Sequence, residues 1–241
     1  MKKILLTLTL FILLITAAAV AADNDYSDQI DLIAANASLW KQDVDFGRWG
    51  FTLTDLDHNG RLEIIAASVQ GTGFYTYLNV FEVNEDHSAL TELQGPSFDR
   101  TDSAPDVMVS SVPVYHDKEN DRYYYIFDDM IRNGMAEYYE NKRAVSITDG
   151  KWEETFLASK STLYADADHF TVTCTDGSGN TISEIQYDQI AQTVYGAFEP
   201  GKAEFNWQMT DNEEFAALTP DKLRTILRGT GLPQSGGPVL R

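Results

Sequence analysis

Residues 55–63 place oxygen-bearing side chains at alternate positions of a short segment. Asp55, Asp57, Asn59 and Glu63 stand at its first, third, fifth and ninth positions. A calcium ion takes about six to eight oxygen ligands, and alternate side chains of a tight loop can all point toward one ion. The backbone carbonyl of the seventh residue, Arg61, can add a further oxygen. The spacing therefore predicts a calcium site built from these five residues.

The segments on either side of this loop indicate which kind of calcium loop it is. An EF-hand has helices on both sides and a bidentate glutamate at the twelfth position, where this chain has Ala66. Residues 51–54 and 62–67 instead have the β-branched and apolar composition of strands. Gly60 stands where the chain must bend sharply, and we expect a positive φ there.

Residues 51–67 resemble the FG-GAP/VCBS calcium loop, which occurs in integrin-like propeller blades and in many secreted bacterial proteins. Its pattern, D-x-D-x-[DN]-G-x-x-[DE] between two strands, is matched at every ligand position. The resemblance implies a bound calcium ion and a local hairpin. One alternative stays open, namely that Asn59 and Gly60 form an ordinary two-residue hairpin turn and the acids serve solubility.

The amino terminus predicts export. Lys2 and Lys3 precede an apolar run over residues 4–15 and a small-residue segment, the build of a signal peptide covering residues 1–21. Cleavage after Ala21 is expected, with an uncleaved anchor as the alternative. Cys174 is the single cysteine, so the chain has no internal disulfide. It lies in an alternating strand pattern that predicts burial.

The charge of the chain argues against two classes of partner. The formal net charge is -19, and loss of Lys2 and Lys3 with the signal makes the mature protein more acidic. Binding to nucleic acid or to anionic lipid headgroups requires a basic surface. We therefore expect no nucleic-acid partner and no stable membrane insertion after signal cleavage.

The hydrophobic pattern predicts a mainly β fold with flanking helices, in one domain over residues 22–230 and a flexible tail over 231–241. A helix begins near Ser27 and ends before Gly47. Antiparallel meanders follow, the first having the length of a propeller blade. Two helices come last, one capped by Ser183 and one beginning at Thr219. A full propeller is less favoured, because the blade motif occurs once. The predicted strands lie around residue 51 and over 62–69, 75–83, 90–93, 107–115, 122–127, 136–147 and 152–157, with two more around 164 and 174.

Catalytic patterns are sparse. The sequence has no G-x-S-x-G, H-E-x-x-H or glycine-rich phosphate loop, and its histidines are scattered. The neighbouring acids at 128–129 and at 153–154 are candidate glycosidase pairs. Aromatic residues on the predicted strands suit a sugar or peptide ligand, but are more typical of a core. The sequence favours a secreted calcium-stabilised binding or structural module with an extracellular ligand, carbohydrate or protein. The alternative is a secreted hydrolase acting on carbohydrate.

Overall fold

A computed structural model of the chain describes residues 26–41, 48–96, 103–166 and 168–230. The predicted signal peptide and C-terminal tail lie outside these residues. Two antiparallel sheets and six helices make up the described part, which confirms the predicted β-rich fold with flanking helices.

The first sheet has five strands in the order β12-β1-β2-β3-β4. The predicted meander over residues 51–93 forms four of them, and the sequence pattern missed the fifth, which pairs with β1 from the C-terminal region. Their bounds are β1 Arg48–Thr54, β2 Glu63–Gln70, β3 Tyr75–Val83, β4 Leu90–Glu92 and β12 Gln208–Thr210.

The second sheet has seven strands in the order β10-β9-β8-β7-β6-β5-β11. Asp149 and Gly150 both have positive φ, 51° and 69°, which confirms the tight turn predicted between β7 and β8. Strands β10 and β11 were not predicted, and the separate strand predicted around residue 164 is the end of β8. The bounds are β5 Ser111–Asp117, β6 Arg122–Asn133, β7 Glu137–Thr148, β8 Lys151–Tyr164, β9 Phe170–Asp176, β10 Thr181–Ile182 and β11 Glu199–Glu204.

Two of the predicted helices are each interrupted. The first breaks at Asn36 and the second at Gln189, and a short helix precedes the last one. The capping box of Ser183 with Gln186 and the Thr219 cap with proline at the first helical position are confirmed. The bounds are α1 Ser27–Ala35, α2 Ala37–Trp40, α3 Glu184–Asp188, α4 Ile190–Tyr195, α5 Asn212–Ala217 and α6 Pro220–Gly229.

The described residues form four layers: helices α1, α5 and α6, the first sheet, the second sheet, and helices α3 and α4. In β2, Ile64 packs with helices α1, α5 and α6, whereas Ile65 packs against the second sheet. The outer face of the second sheet is covered by α3 and α4, with Tyr195 and Tyr187 at the contact. Because successive strand residues point to opposite faces, both faces of both sheets are packed in the centre of the molecule. Cys174 is buried, as its pattern predicted.

One buried acid of the second sheet carries an ion pair. Asp129 on β6 is fully buried, and its carboxylate accepts hydrogen bonds from Ser103 and Asn141 and lies 3.4 Å from Arg143. Burial raises the pKa of Asp129 to about 6, and Arg143 only partly opposes that shift. Removing a carboxylate from water disfavours its charged form, so the charged Asp129 costs stability.

This burial gives a pH-dependent prediction. The folded-state pKa lies above the usual 3.8, so the contribution of Asp129 to stability is complete below about pH 4 and is lost as the pH rises through about 6. The free energy of unfolding of the native protein, minus that of Asp129→Asn, should fall by up to about 3 kcal/mol between pH 4 and pH 7. Urea unfolding across this range measures it. Asp128→Asn, at the exposed neighbour, is the matched control, and a pH-independent difference for Asp129→Asn would contradict the assignment.

Candidate metal centre

The predicted calcium loop joins two fully paired strands. Thr54 at the end of β1 lies opposite Glu63 at the start of β2, and residues 55–62 connect them. His58 and Gly60 have φ values of 57° and 81°, which confirms the positive φ expected at Gly60. L-residues other than glycine rarely adopt this left-handed backbone conformation, so glycine fits the bend at position 60 best. The positive φ at both residues lets the loop reverse its direction between β1 and β2.

This folding brings three predicted ligands together. Asp55, Asp57 and Glu63 each place a carboxylate oxygen within 4.8 Å of the others. Asp55 and Asp57 are partly buried, and Glu63 has no exposed surface. Three like charges at this separation repel one another strongly where water is excluded. The group therefore needs a cation or protons to compensate its charge.

One carboxylate oxygen of Glu63 accepts two hydrogen bonds, and the other accepts none from the described residues. Its Oε2 accepts a hydrogen bond from the Thr54 hydroxyl at 2.8 Å and another from the Leu56 amide at 2.9 Å. Its Oε1 is buried and has no hydrogen-bond partner among the described residues. Burial, with the charges of Asp57 and Asp55, raises the pKa of Glu63 well above its usual range. Buried polar atoms are nearly always paired, so the bare Oε1 calls for a ligand.

The two aspartates are held in place by the loop backbone. The Gly60 amide donates to the Asp55 carboxylate at 3.2 Å, and the Asn59 amide donates to Asp57 at 3.3 Å. Burial raises the pKa of Asp55 to about 6 and also raises that of Asp57, with each further raised by a neighbouring carboxylate. Carboxylate oxygens are hard donors that suit calcium or magnesium. The donor set and the bare Glu63 oxygen thus fit a hard divalent cation.

The other two predicted ligands are placed differently. The Asn59 side-chain oxygen accepts from the Arg61 amide at 2.7 Å, so its NH2 group faces the acids and donates to Asp57 at 2.7 Å. Exchanging the two ends of this amide would set NH2 against the Arg61 N–H. An Asn59 oxygen ligand therefore requires rotation of the side chain. Ligation by the Arg61 carbonyl stays a prediction.

Sequence reasoning missed two residues of this site. Glu82 on β3 lies directly opposite Glu63, is buried, and accepts from Asn59 and Arg61. Counting back along a β2–β3 hairpin would have placed it there. Gln29 on α1 donates to the Gly60 carbonyl at 2.9 Å and accepts from the Leu62 amide at 2.8 Å. Its spacing on the helix gives no signal of such a distant contact.

The second sheet also holds the loop. The hydroxyl of Tyr125 on β6 donates to the Leu56 carbonyl at 2.8 Å, and the Tyr125 ring is buried. Tyr123 on the same strand packs its ring against His58, with centroids 4.1 Å apart. These aromatics were predicted as core or as a ligand surface, and here they act as core. The loop is thus in contact with α1 and with both sheets.

The candidate glycosidase pairs do not converge. Asp128 is exposed and bound to Lys142, whereas its neighbour Asp129 is buried beside Arg143. Glu153 pairs with Arg122, while Glu154 points to the other face and pairs with Arg143. Adjacent residues of a strand face opposite sides of the sheet, so the members of neither pair can flank one bond.

Comparison of the chain with protein-family models, with curated proteins and with solved structures finds no significant match. The resemblance of residues 51–67 to the FG-GAP/VCBS loop therefore stays a prediction. Across the described ranges, no helix is long and apolar enough to span a bilayer.

Repulsion among Asp55, Asp57 and Glu63 predicts how the variant Glu63→Gln changes the stability of the protein in the absence of a metal ion. Glu63→Gln keeps an oxygen for Thr54 and Leu56 and supplies an NH2 group toward the two aspartates. In excess chelator at pH 7.5, the free energy of unfolding should rise by about 1–2 kcal/mol, because the cost of burying or protonating this acid is removed and the remaining bare position becomes a donor.

Urea unfolding in chelator measures this change. Glu92→Gln, an exposed strand position, is the control and should have little effect. A loss of stability in Glu63→Gln under chelator would mean that the charged carboxylate is not strained in the ion-free protein.

Proposed function

We propose that the protein is a secreted, calcium-stabilised binding or structural module. The observation that carries the proposal is the buried Glu63 Oε1, bare of partners among the described residues and grouped with Asp55 and Asp57. A solvated surface cluster would have no buried oxygen without a partner, because water would satisfy each oxygen.

The role of the ion is structural in this proposal. Asp55, Asp57 and Glu63 would hold it through their carboxylates, with the Arg61 carbonyl as a further ligand, while Asn59 in its present orientation would hold the Asp57 carboxylate. A bound cation there would neutralise charge at the point where the β1–β2 loop meets α1 and the second sheet. Export is compatible with this role, because extracellular calcium is abundant enough for sites of modest affinity.

The module is proposed to act by binding an extracellular ligand, carbohydrate or protein. The two acid pairs nominated for the hydrolase alternative do not converge in the described part of the chain.

Calcium should stabilise the folded protein. An ion that binds only the folded state adds RT ln(1 + [Ca]/Kd), which is about 3 kcal/mol at a hundredfold excess over Kd. Metal-free protein should therefore melt at a lower temperature than the same protein in calcium, as followed by scanning calorimetry. Identical melting curves in calcium and in chelator would count against a structural ion.

Asp57→Ala distinguishes an ion site from a simple hairpin turn. It leaves Asn59 and Gly60 intact, so a bare turn would lose only about half a kcal/mol. If Asp57 is a ligand, the variant should be much less stable than the native protein in calcium and should match or exceed it in chelator. Asp86→Ala, in an exposed turn of the same sheet, is the matched control. Equal stability of native protein and Asp57→Ala in saturating calcium would exclude the ligand role.

A further inference from the structure

Glu82 and Arg61 form a partly buried ion pair at the edge of the candidate site. The Arg61 side chain donates to Glu82 Oε1 from Nε at 3.2 Å and from Nη2 at 2.8 Å. The Glu82 side chain is 6% exposed and that of Arg61 27%. Glu82 lies directly across the β2–β3 ladder from Glu63. Two like charges opposite each other destabilise a strand pair, and the ion pair of Glu82 with Arg61 opposes that effect.

The same carboxylate oxygen also holds Asn59. The Asn59 NH2 group donates to Glu82 Oε1 and to Asp57 Oδ2, each at 2.7 Å, while its oxygen accepts from the Arg61 amide. Arg61 thus fixes both ends of the arrangement, Glu82 through its side chain and Asn59 through its backbone. Glu82 itself is outside the group of converging carboxylates, which contains Asp55, Asp57 and Glu63.

The two glutamates are compensated in different ways. The charge of Glu82 is balanced by the guanidinium of Arg61, whereas Glu63 has no basic side chain bound to it among the residues described. The Arg61 guanidinium therefore pairs with Glu82, which lies outside the three converging acids, although its charge also lowers the pKa of Asp57. A positive group among those acids would instead compete with the ion.

We propose that Glu82 and Arg61 are positioning residues of the calcium site, an ion pair that aligns Asn59 with Asp57 and keeps the Arg61 guanidinium off the ligand carboxylates. This inference rests on the proposed calcium site. Hydrogen-bonded partners of metal ligands commonly set affinity, and removing one typically lowers it by about 10- to 100-fold.

Three variants distinguish a positioning role of the Glu82–Arg61 pair from a simple effect of charge on calcium binding. Glu82→Gln removes the ion pair, and Glu82→Asp keeps the charge but withdraws the carboxylate by one methylene. Arg61→Gln removes the positive charge, which on charge alone should strengthen calcium binding. Positioning predicts the reverse, because Glu82, which holds the Asn59 NH2 group, loses its anchor and an uncompensated acid is left buried beside the site. All three variants should therefore bind calcium about tenfold or more weakly.

The experiment is calcium titration calorimetry on the mature chain, with Glu92→Gln and Arg48→Gln as exposed, charge-matched controls that should bind like the native protein. Circular dichroism verifies folding, and urea unfolding in chelator records stability without the ion. A purely structural pair would lower stability in chelator and leave the calcium Kd of the folded variants unchanged.

The outcomes are distinct. Weaker binding in all three variants supports the proposal. Tighter binding by Arg61→Gln, or native affinity in Glu82→Asp, overturns it in favour of a charge effect. Native affinity in all three overturns it outright. If the native protein itself binds no calcium, the proposed function fails first, and that result is seen before any variant is measured.

Discussion

The buried carboxylate of Glu63 is the constraint on which the rest of the site depends. Transfer of a charged group out of water costs several kcal/mol unless it is paired, and here two further carboxylates lie within 4.8 Å. Thr54 and Leu56 satisfy one of its oxygens only. Since Thr54 and Glu63 face each other in the β1–β2 ladder, the register of the hairpin itself places this charge in the interior. A charge fixed there by the fold must be neutralised by a proton or a cation.

The loop that carries these acids is also where the layers of the molecule meet. Gln29 brings α1 onto the loop with two hydrogen bonds, and Tyr125 brings the second sheet onto it with one. Repulsion among the acids would therefore be transmitted to contacts well outside the loop. Neutralising them would stabilise the attachment of the helix and the packing of the two sheets together. This gives a single small site influence over the stability of a much larger structure.

Periodicity and turn chemistry predicted the regular parts of this fold. The strands from β1 to β8, the Asp149–Gly150 turn and the cap at Thr219 depend on local sequence, and all are present. The edge strands β10, β11 and β12 were missed because short strands with mixed polarity acquire their structure from the partner they pair with. Helix breaks at Asn36 and Gln189 were likewise missed, since the apolar spacing continues across them.

The residues of the site likewise divide into those that the local sequence predicted and those that it missed. The convergence of Asp55, Asp57 and Glu63 follows from a local motif and was predicted. Glu82 belongs to it through the register of the β2–β3 hairpin, which counting along the predicted strands could have given, whereas Gln29 belongs to it through helix docking, a tertiary property that no nearby residue encodes. The orientation of Asn59 was also beyond the motif, because the Arg61 amide and Glu82 together decide which end of the side-chain amide faces the acids.

The most direct test is a crystal structure of the mature protein grown with calcium, with anomalous scattering used to locate the ion. A peak about 2.4 Å from Glu63 Oε1, and in contact with the carboxylates of Asp55 and Asp57, is the result this account predicts. A well-ordered loop at saturating calcium with no anomalous peak beside Glu63 would contradict it.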